Sequence, residues 1–182
     1  MKFFTCLLLV VSLNSFAAED HHNHNHDHHE EKEKKSLDAH EHGVSTLNLA
    51  QDMNKISFEF KMPGFDVVGF EYKAKKKEDI KKVKKALNLL SEAKNMLIIN
   101  SEAECKKEES SARVVNEGSH SEFISEYILS CNKVSLIKKI KIIYFDTFPL
   151  SKKLKINLVA NNQKLSQVFD INNNTINVEG YF

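Results

Sequence analysis

The chain has 182 residues, of which 41% are hydrophobic and 28% are charged, and its formal charge at pH 7 is +1. This length allows one folded domain with tails, and the hydrophobic fraction is high enough for most of the chain to fold. The balanced charge excludes a global bias towards nucleic acid or anionic membranes.

The first residues have the pattern of a secretory signal peptide. Lys2 supplies a positive charge, and the apolar stretch over residues 3–13 is too short to span a bilayer comfortably. Small residues at Ser15 and Ala17 suit cleavage after Ala17. We therefore expect residues 1–17 to be removed and the protein to be periplasmic, without stable membrane insertion. An uncleaved anchor is the alternative.

A histidine-rich segment follows, which we predict to be a disordered metal-binding tail over residues 18–36. Residues 19–35 include no apolar side chain, so they cannot bury surface to offset the entropy of ordering. Neutral imidazole suits Zn(II), and also Cu(II) and Ni(II). A purification tag or a solubilising tail explains the composition less well, because Asn and Asp interrupt the tract. The predicted ligands are His21, His22, His24, His26, His28 and His29.

Residues 37–182 are predicted to form a single α+β domain, with a mostly antiparallel sheet and one long amphipathic helix. Alternation of apolar and polar residues predicts the first two strands, which are expected to form a hairpin, and a later strand over residues 154–160. Apolar residues at three- and four-residue spacing predict the helix over residues 77–98. The predicted strands cover residues 43–50, 56–60, 123–129, 154–160, 164–169 and 176–178.

Other segments have less regular patterns. Residues 67–71 are predicted to be a turn or an edge segment, and the polar residues 106–111 a loop. Residues 137–145 are rich in β-branched and aromatic side chains, which favours a strand over a helix.

Eight lysines lie between Lys73 and Lys85, at the start of the predicted helix. A surface that binds membranes or nucleic acid is one interpretation. A solvated helix face is favoured, because the segment lacks the aromatic residues that an interfacial helix normally carries.

His40 and His42 differ from the histidines of the tail because they adjoin the first predicted strand. In an extended chain, residues two apart point to the same side, so both imidazoles can reach one ion. Zinc usually has three or four ligands, and the one remaining histidine is His120. We therefore consider a site of these three histidines and a carboxylate, with an ordinary surface position for His120 as the alternative. The candidate carboxylates are Asp38, Glu41, Glu71 and Glu122.

Two cysteines, Cys105 and Cys131, remain once the leader with Cys6 is removed. An even number of cysteines in an exported protein favours a disulfide. Two thiolate metal ligands or two unpaired thiols are the alternatives.

Short motifs along most of the chain resemble the ZrgA-like family of zinc-regulated periplasmic proteins. They are Ala39-His-Glu-His-Gly43, Leu47-Asn-Leu-Ala50, Pro63, Val68-Gly-Phe-Glu71, Ala103-Glu-Cys105, His120-Ser-Glu-Phe123, Tyr127, Cys131 and Phe145-Asp-Thr-Phe-Pro149. The resemblance implies a secreted zinc binder that supports a zinc-importing ABC transporter. It also implies that His40, His42 and His120 are the structured ligands and that Cys105 and Cys131 form a disulfide.

The chain departs from that family pattern at two places. Relatives often carry a histidine-rich insertion between the two cysteines, whereas residues 106–119 here contain no histidine. Relatives often have histidine directly after the Gly-Phe-Glu motif, where this chain has Tyr72.

The sequence has no motif of a familiar catalytic site, such as His-Glu-x-x-His, a glycine-rich phosphate loop or a nucleophile motif. We therefore expect a non-enzymatic protein that binds divalent metal ions and captures Zn(II). The substrate-binding component of a zinc ABC transporter is the expected partner, and nucleic acid is not. Buffering or resistance against excess Zn, Cu or Ni is the alternative function, and a zinc-dependent enzyme is a further one.

Overall fold

A computed structural model describes residues 41–182 of the chain. The predicted leader, the histidine-rich segment, Asp38 and His40 lie outside this range, so the division into leader, tail and domain stays a prediction. In chain order the elements are β1 (Val44–Asp52), β2 (Lys55–Pro63), α1 (Gly64–Val68), α2 (Lys77–Leu90), β3 (Leu97–Ile99), β4 (Cys105–Glu117), β5 (His120–Cys131), β6 (Lys139–Ile142), α3 (Tyr144–Thr147), β7 (Lys153–Ala160), β8 (Gln163–Phe169) and β9 (Thr175–Asn177).

The strands form two sheets. The larger sheet has the order β4-β5-β2-β1-β7-β8, and the smaller has the order β3-β6-β9. Neighbouring strands are antiparallel throughout, except that β1 and β7 are parallel. The predicted α+β class with a mostly antiparallel sheet is therefore confirmed, and α2 is the longest helix of the described range. That range contains no helix with the length and apolar character that a membrane span requires.

The core lies on one face of the large sheet because its strands alternate between buried and exposed side chains. Leu47 and Leu49 of β1 and Phe58 and Phe60 of β2 are almost completely buried. Burial of each such side chain contributes about 1.5–3 kcal/mol relative to exposure. Helix α2 covers part of this face, since Leu90 is buried there and its carbonyl accepts a hydrogen bond from the hydroxyl of Tyr127.

Helix α2 ends at Leu90, so the prediction that it continues to residue 98 was wrong. The side chains of Ser91 and Asn95 donate hydrogen bonds to the carbonyls of the last turn, which supports the end of the helix. Leu97 continues the helical spacing of the sequence, but it belongs to β3 and pairs with Ile142 of β6. Residues that the spacing of apolar side chains had assigned to the helix therefore form a strand of the smaller sheet.

Two other predictions need correction. Residues 106–111 were predicted to be a loop, but they belong to the edge strand β4, whose exposure to solvent removes the need for apolar residues. Residues 67–71 contain the end of helix α1 and a bend at Gly69, so of the two alternatives predicted there the edge segment was wrong.

The strand predicted over residues 137–145 is confirmed only for β6, because Tyr144 and Phe145 begin helix α3. Both aromatic side chains are buried. A strand would direct two consecutive side chains to opposite faces, so the helical turn allows both to enter the core.

A disulfide joins Cys105, the first residue of β4, to Cys131, the last residue of β5. The two residues are directly opposite each other in the β4–β5 pairing, and Cys131 is buried. The predicted disulfide is therefore confirmed, and the readings as thiolate ligands or unpaired thiols were wrong. The bond fastens the edge strand to the sheet at one end.

Replacing both cysteines by serine should lower the free energy of unfolding by about 3 kcal/mol, because the unfolded chain then loses a loop constraint. Urea denaturation of the oxidised wild type and the double variant measures this difference. A reducing agent should destabilise the wild type and leave the double variant unchanged. Equal stability of oxidised and fully reduced wild type would contradict the prediction.

Candidate metal site

The directions of three neighbouring strands bring three chain segments to one end of the large sheet. Because β2 is antiparallel to both β1 and β5, the start of β1, the end of β2 and the start of β5 lie together. His42 lies two residues before β1, His120 is the first residue of β5, and Glu71 follows the short helix after β2. The sheet therefore places residues that are distant in sequence at a common edge.

The carboxylate of Glu71 contacts both histidines. Oε1 of Glu71 lies 3.2 Å from Nε2 of His42, and Oε2 of Glu71 lies 2.7 Å from Nδ1 of His120. The structure thus brings together three of the candidate ligands, with one carboxylate between two imidazoles.

Glu71 is enclosed, whereas its two partners face solvent. Its side chain is 11% exposed, against 55% for His42 and 56% for His120. Burial raises the pKa of Glu71, but the contacts with His120 and His42 outweigh burial and hold the pKa below its ordinary value. The Oε1 atom is buried, and its 3.2 Å contact with Nε2 of His42 does not have the geometry of a hydrogen bond. An ionised carboxylate with a spare lone pair is therefore available to a cation.

Close packing of α1 against β5 fixes the position of the Glu71 segment. A Cβ atom on Gly64 would lie 2.0 Å from Oγ of Ser121 and 2.7 Å from the carbonyl oxygen of Phe70. Only glycine allows the chain to pass this close to the residue after His120. The same contact therefore aligns the chain that leads to Glu71 with the start of β5.

The position of His42 is fixed by a turn that is held on two sides. Gly43 has a φ of +83°, and its amide donates a hydrogen bond of 2.6 Å to Oδ1 of Asp66. Its carbonyl accepts hydrogen bonds of 2.8 Å from the amides of Lys152 and Lys153, just before and at the start of β7. The imidazole of His42 stacks on the ring of Phe65, with centroids 4.7 Å apart.

A buried polar network lies beneath this turn. The Asp66 side chain is almost fully buried and accepts a 3.0 Å hydrogen bond from the hydroxyl of Ser45, which lies 2.7 Å from the hydroxyl of Tyr144. Burial raises the pKa of Asp66, and the hydrogen bonds from Gly43 and Ser45 reduce this effect without cancelling it. Burial also raises the pKa of Tyr144. The network supports His42 through the backbone of Gly43.

The other candidates have different positions. Glu41 is exposed, and its backbone carbonyl accepts a hydrogen bond from Val44 at the start of β1. Glu122 is buried in β5 opposite Pro63. Asp38, His40 and the six histidines of the histidine-rich segment lie outside the described residues.

The two imidazoles contact different oxygens of Glu71. Residues 41–182 contain no group of three or more His, Cys, Asp or Glu side chains arranged to hold a metal ion. The metal ligand set therefore stays a prediction.

Sequence reasoning missed Phe65 and Asp66. Asp66 lies between Phe65 and Val67, and no spacing or motif in the sequence indicates its contact with the backbone amide of Gly43. Tyr72, which occupies the position where relatives often have histidine, is half exposed and donates a hydrogen bond to Asp79.

Comparison with protein families gives a match over residues 39–178 to the family described as ZrgA family zinc uptake protein. The matched range covers all three residues of the His42–Glu71–His120 group and both cysteines. A comparison with curated proteins gave no match.

The buried carboxylate of Asp66 leads to a prediction about pH. In metal-free protein, the free energy of unfolding of the wild type relative to Asp66→Asn should fall as the pH rises from the ordinary Asp pKa of 3.8 towards neutrality. The folded state binds the Asp66 proton more tightly than the unfolded state, so a rise in pH costs folded stability. Asparagine can accept the hydrogen bond from the amide of Gly43 and donate one to the hydroxyl of Ser45, and it does not titrate.

Urea denaturation across this pH range, with a metal chelator present, measures the difference. Asp146→Asn is the matched control because Asp146 is exposed in α3. A difference that is constant with pH, or that grows in favour of the wild type, would contradict the prediction.

Proposed function

Because the chain belongs to the ZrgA family of zinc uptake proteins, we propose that it captures Zn(II) in the periplasm and supplies it to an ABC-type zinc importer. The observation that carries this proposal is the pair of imidazoles on the carboxylate of Glu71. The proposed role is binding and release of the ion, without catalysis.

The donor set has the chemistry that zinc prefers. Imidazole nitrogen and carboxylate oxygen are common zinc ligands, and bonds of about 2.0–2.2 Å place tetrahedral ligand atoms roughly 3.4 Å apart. The contacts of Glu71 with His42 and His120 are 3.2 Å and 2.7 Å. Each of these two distances is within 1 Å of the distance between ligand atoms in a tetrahedral zinc site. Binding would release any proton held between the carboxylate and an imidazole.

The exposure of the three groups suits an ion that must enter and leave. Glu71 supplies a fixed negative charge from inside the protein, while the two imidazoles are more than half exposed. His40 is the third histidine that we propose for this ligand set, with Asp38 and Glu41 as alternative carboxylates. A resident structural ion would instead be enclosed by four protein ligands.

We assign a different role to the histidine-rich segment. Its six histidines can coordinate an ion in many different combinations. Each binding event must order the chain, so we expect the affinity for each ion to be low. The His42–Glu71–His120 group is the site that holds the ion before transfer.

Calorimetric titration of Zn(II) tests the site. The starting protein is residues 18–182 with the six histidines of positions 21–29 replaced by asparagine, which removes the loose sites and keeps the length. We expect one tight site to remain. His42→Ala/His120→Ala, which removes two ligands, and Glu71→Gln, which removes one, should each weaken it by at least about tenfold.

Glu126→Gln is the matched control, because Glu126 is a carboxylate that contacts the guanidinium of Arg113 and lies six residues along β5 from His120, away from the candidate site. It should leave zinc affinity unchanged. Loss of all binding in the starting protein, or equal affinity of the Glu71 and Glu126 variants, would contradict the proposed site.

A growth experiment tests the role in uptake. A strain that lacks this protein should grow poorly when zinc is chelated, and the wild-type gene should restore growth while the His42→Ala/His120→Ala gene should not. Matched expression of both proteins, checked by immunoblotting, is the control. A growth defect that appears only in excess metal would indicate buffering instead of uptake.

A further inference from the structure

Exposed lysines are concentrated on helix α2 and on the residues that precede it. All eight lysines of residues 73–85 are exposed, and with the two acidic residues Glu78 and Asp79 they give this stretch a formal charge of +6. We call these lysines the lysine surface, which comprises Lys73, Lys75, Lys76, Lys77, Lys81, Lys82, Lys84 and Lys85.

The positive charge of the lysine surface is not compensated within the described part of the chain. Among residues 41–182, no ion pair involves one of its lysines, whereas Lys55 elsewhere pairs with Glu108 at 2.7 Å. Asp79 is almost fully buried and accepts a 3.0 Å hydrogen bond from the hydroxyl of Tyr72. Lysines four residues apart on a helix repel each other. An anionic partner would relieve this repulsion.

Exposed apolar side chains lie among the lysines on one side of α2. Tyr72 is 52% exposed and Ile80 is 37% exposed. Both line a cavity of about 230 Å³ together with Lys73 and Lys84. The ring of Tyr72 stacks on the ring of Phe70, with centroids 4.6 Å apart. This side of the helix therefore offers both ammonium groups and apolar surface to a partner.

The other side of α2 has the same combination of groups. Leu150, which is also exposed, lines a second cavity with Lys82 and Lys85. Lys77 and Lys81 are exposed and, by the period of the helix, lie between the two sides. The lysines thus cover the whole outward half of the helix, and apolar side chains lie along both of its borders.

The fold supplies the apolar groups that the lysine-rich stretch lacks in sequence. The absence of aromatic residues from this stretch favoured a solvated helix face. Tyr72 directly precedes the stretch, and Leu150 reaches it from the segment between α3 and β7. Lysines combined with exposed aromatic and aliphatic side chains are typical of surfaces that bind anionic membranes.

We propose that the lysine surface binds peripherally to a membrane that contains anionic phospholipids, with Tyr72, Ile80 and Leu150 entering the headgroup region. A membrane is a wide surface of negative charge, so it can contact lysines around the outward half of α2 at once. A single acidic peptide would contact only part of them. The lysines are also point charges without the fixed fork by which arginine recognises individual carboxylates.

Membrane binding of this kind does not depend on zinc. It goes beyond the proposed capture of the ion, because it concerns where the protein is held. Lys73 is two residues after Glu71, so the candidate metal site borders the proposed contact surface. A protein bound in this way would keep the His42–Glu71–His120 group close to the membrane.

Co-sedimentation with lipid vesicles tests the proposal. The protein is residues 18–182, because the apolar stretch over residues 3–13 would bind lipid by itself, and a chelator removes metal ions that could bridge imidazoles and phosphates. We expect binding to equimolar phosphatidylglycerol and phosphatidylcholine vesicles, and none to phosphatidylcholine alone. About 0.5 M NaCl should weaken the binding strongly, because salt screens exposed charges.

Two variants with the same change in net charge test the role of the lysines. Lys77→Gln/Lys81→Gln/Lys84→Gln/Lys85→Gln should weaken vesicle binding by at least about tenfold, because each lysine near an anionic surface contributes to the affinity. The control is a variant that changes four exposed lysines of β6, β7 and β8 and should bind as the wild type does: Lys139→Gln/Lys141→Gln/Lys155→Gln/Lys164→Gln.

A second pair of variants tests the apolar groups. Ile80→Ser/Leu150→Ser should weaken binding by at least about threefold, because less apolar surface enters the headgroup region. Val168→Ser/Ile171→Ser is the matched control, since both of these side chains are exposed and lie outside the lysine surface. Circular dichroism of all four variants verifies that they are folded.

Three results would overturn the proposal. One is the absence of binding to the anionic vesicles, or equal binding by the two lysine variants. Another is equal binding by the two serine variants, which would reduce the contact to general attraction between charges. The third is capture by immobilised polyglutamate without vesicle binding, which would assign the lysine surface to an acidic protein.

Discussion

The strand order β5-β2-β1 is the constraint on which the candidate site depends. Alternating strand directions place the starts of β1 and β5 and the end of β2 at one edge. The contacts of Glu71 with His42 and His120 follow from that arrangement, because each residue lies at or just beyond one of these strand ends. The chemistry therefore occupies an edge of the sheet, while the alternating apolar residues of the same strands form the core.

Much of the fold could be predicted because several strands of the large sheet have one buried and one solvated face. The alternation in β1 and β7 indicated their positions closely. Edge strand β4 escaped prediction because its residues need little apolar character. The end of α2 was not predicted, because Leu97 continues the helical spacing of apolar residues but pairs with β6 as part of a strand.

The candidate site was predictable in its residues and not in its geometry. His42 was identified because it adjoins the first predicted strand, and His120 because it is the one histidine after that strand. Their convergence depends on the register between β2 and β5, which the sequence does not specify. Asp66 acts through a backbone amide, and a spacing pattern of side chains gives no sign of such a contact. The site thus consists of buried polar groups that hold the turn before β1 and of two imidazoles that are exposed to solvent.

The hydrogen bonds between Gly43 and the start of β7 have a consequence for the order of folding. Gly43 lies near the beginning of the described chain, yet its carbonyl is held by the amides of Lys152 and Lys153, and β1 pairs in parallel with β7. Contacts between such distant segments form late, because a long loop must close first. The hairpin of β1 and β2 can form early, but the turn that carries His42 is complete only when the C-terminal strands have joined the sheet. A chain that ended before β7 would keep all three residues of the His42–Glu71–His120 group and lose the scaffold that orients one of its two imidazoles.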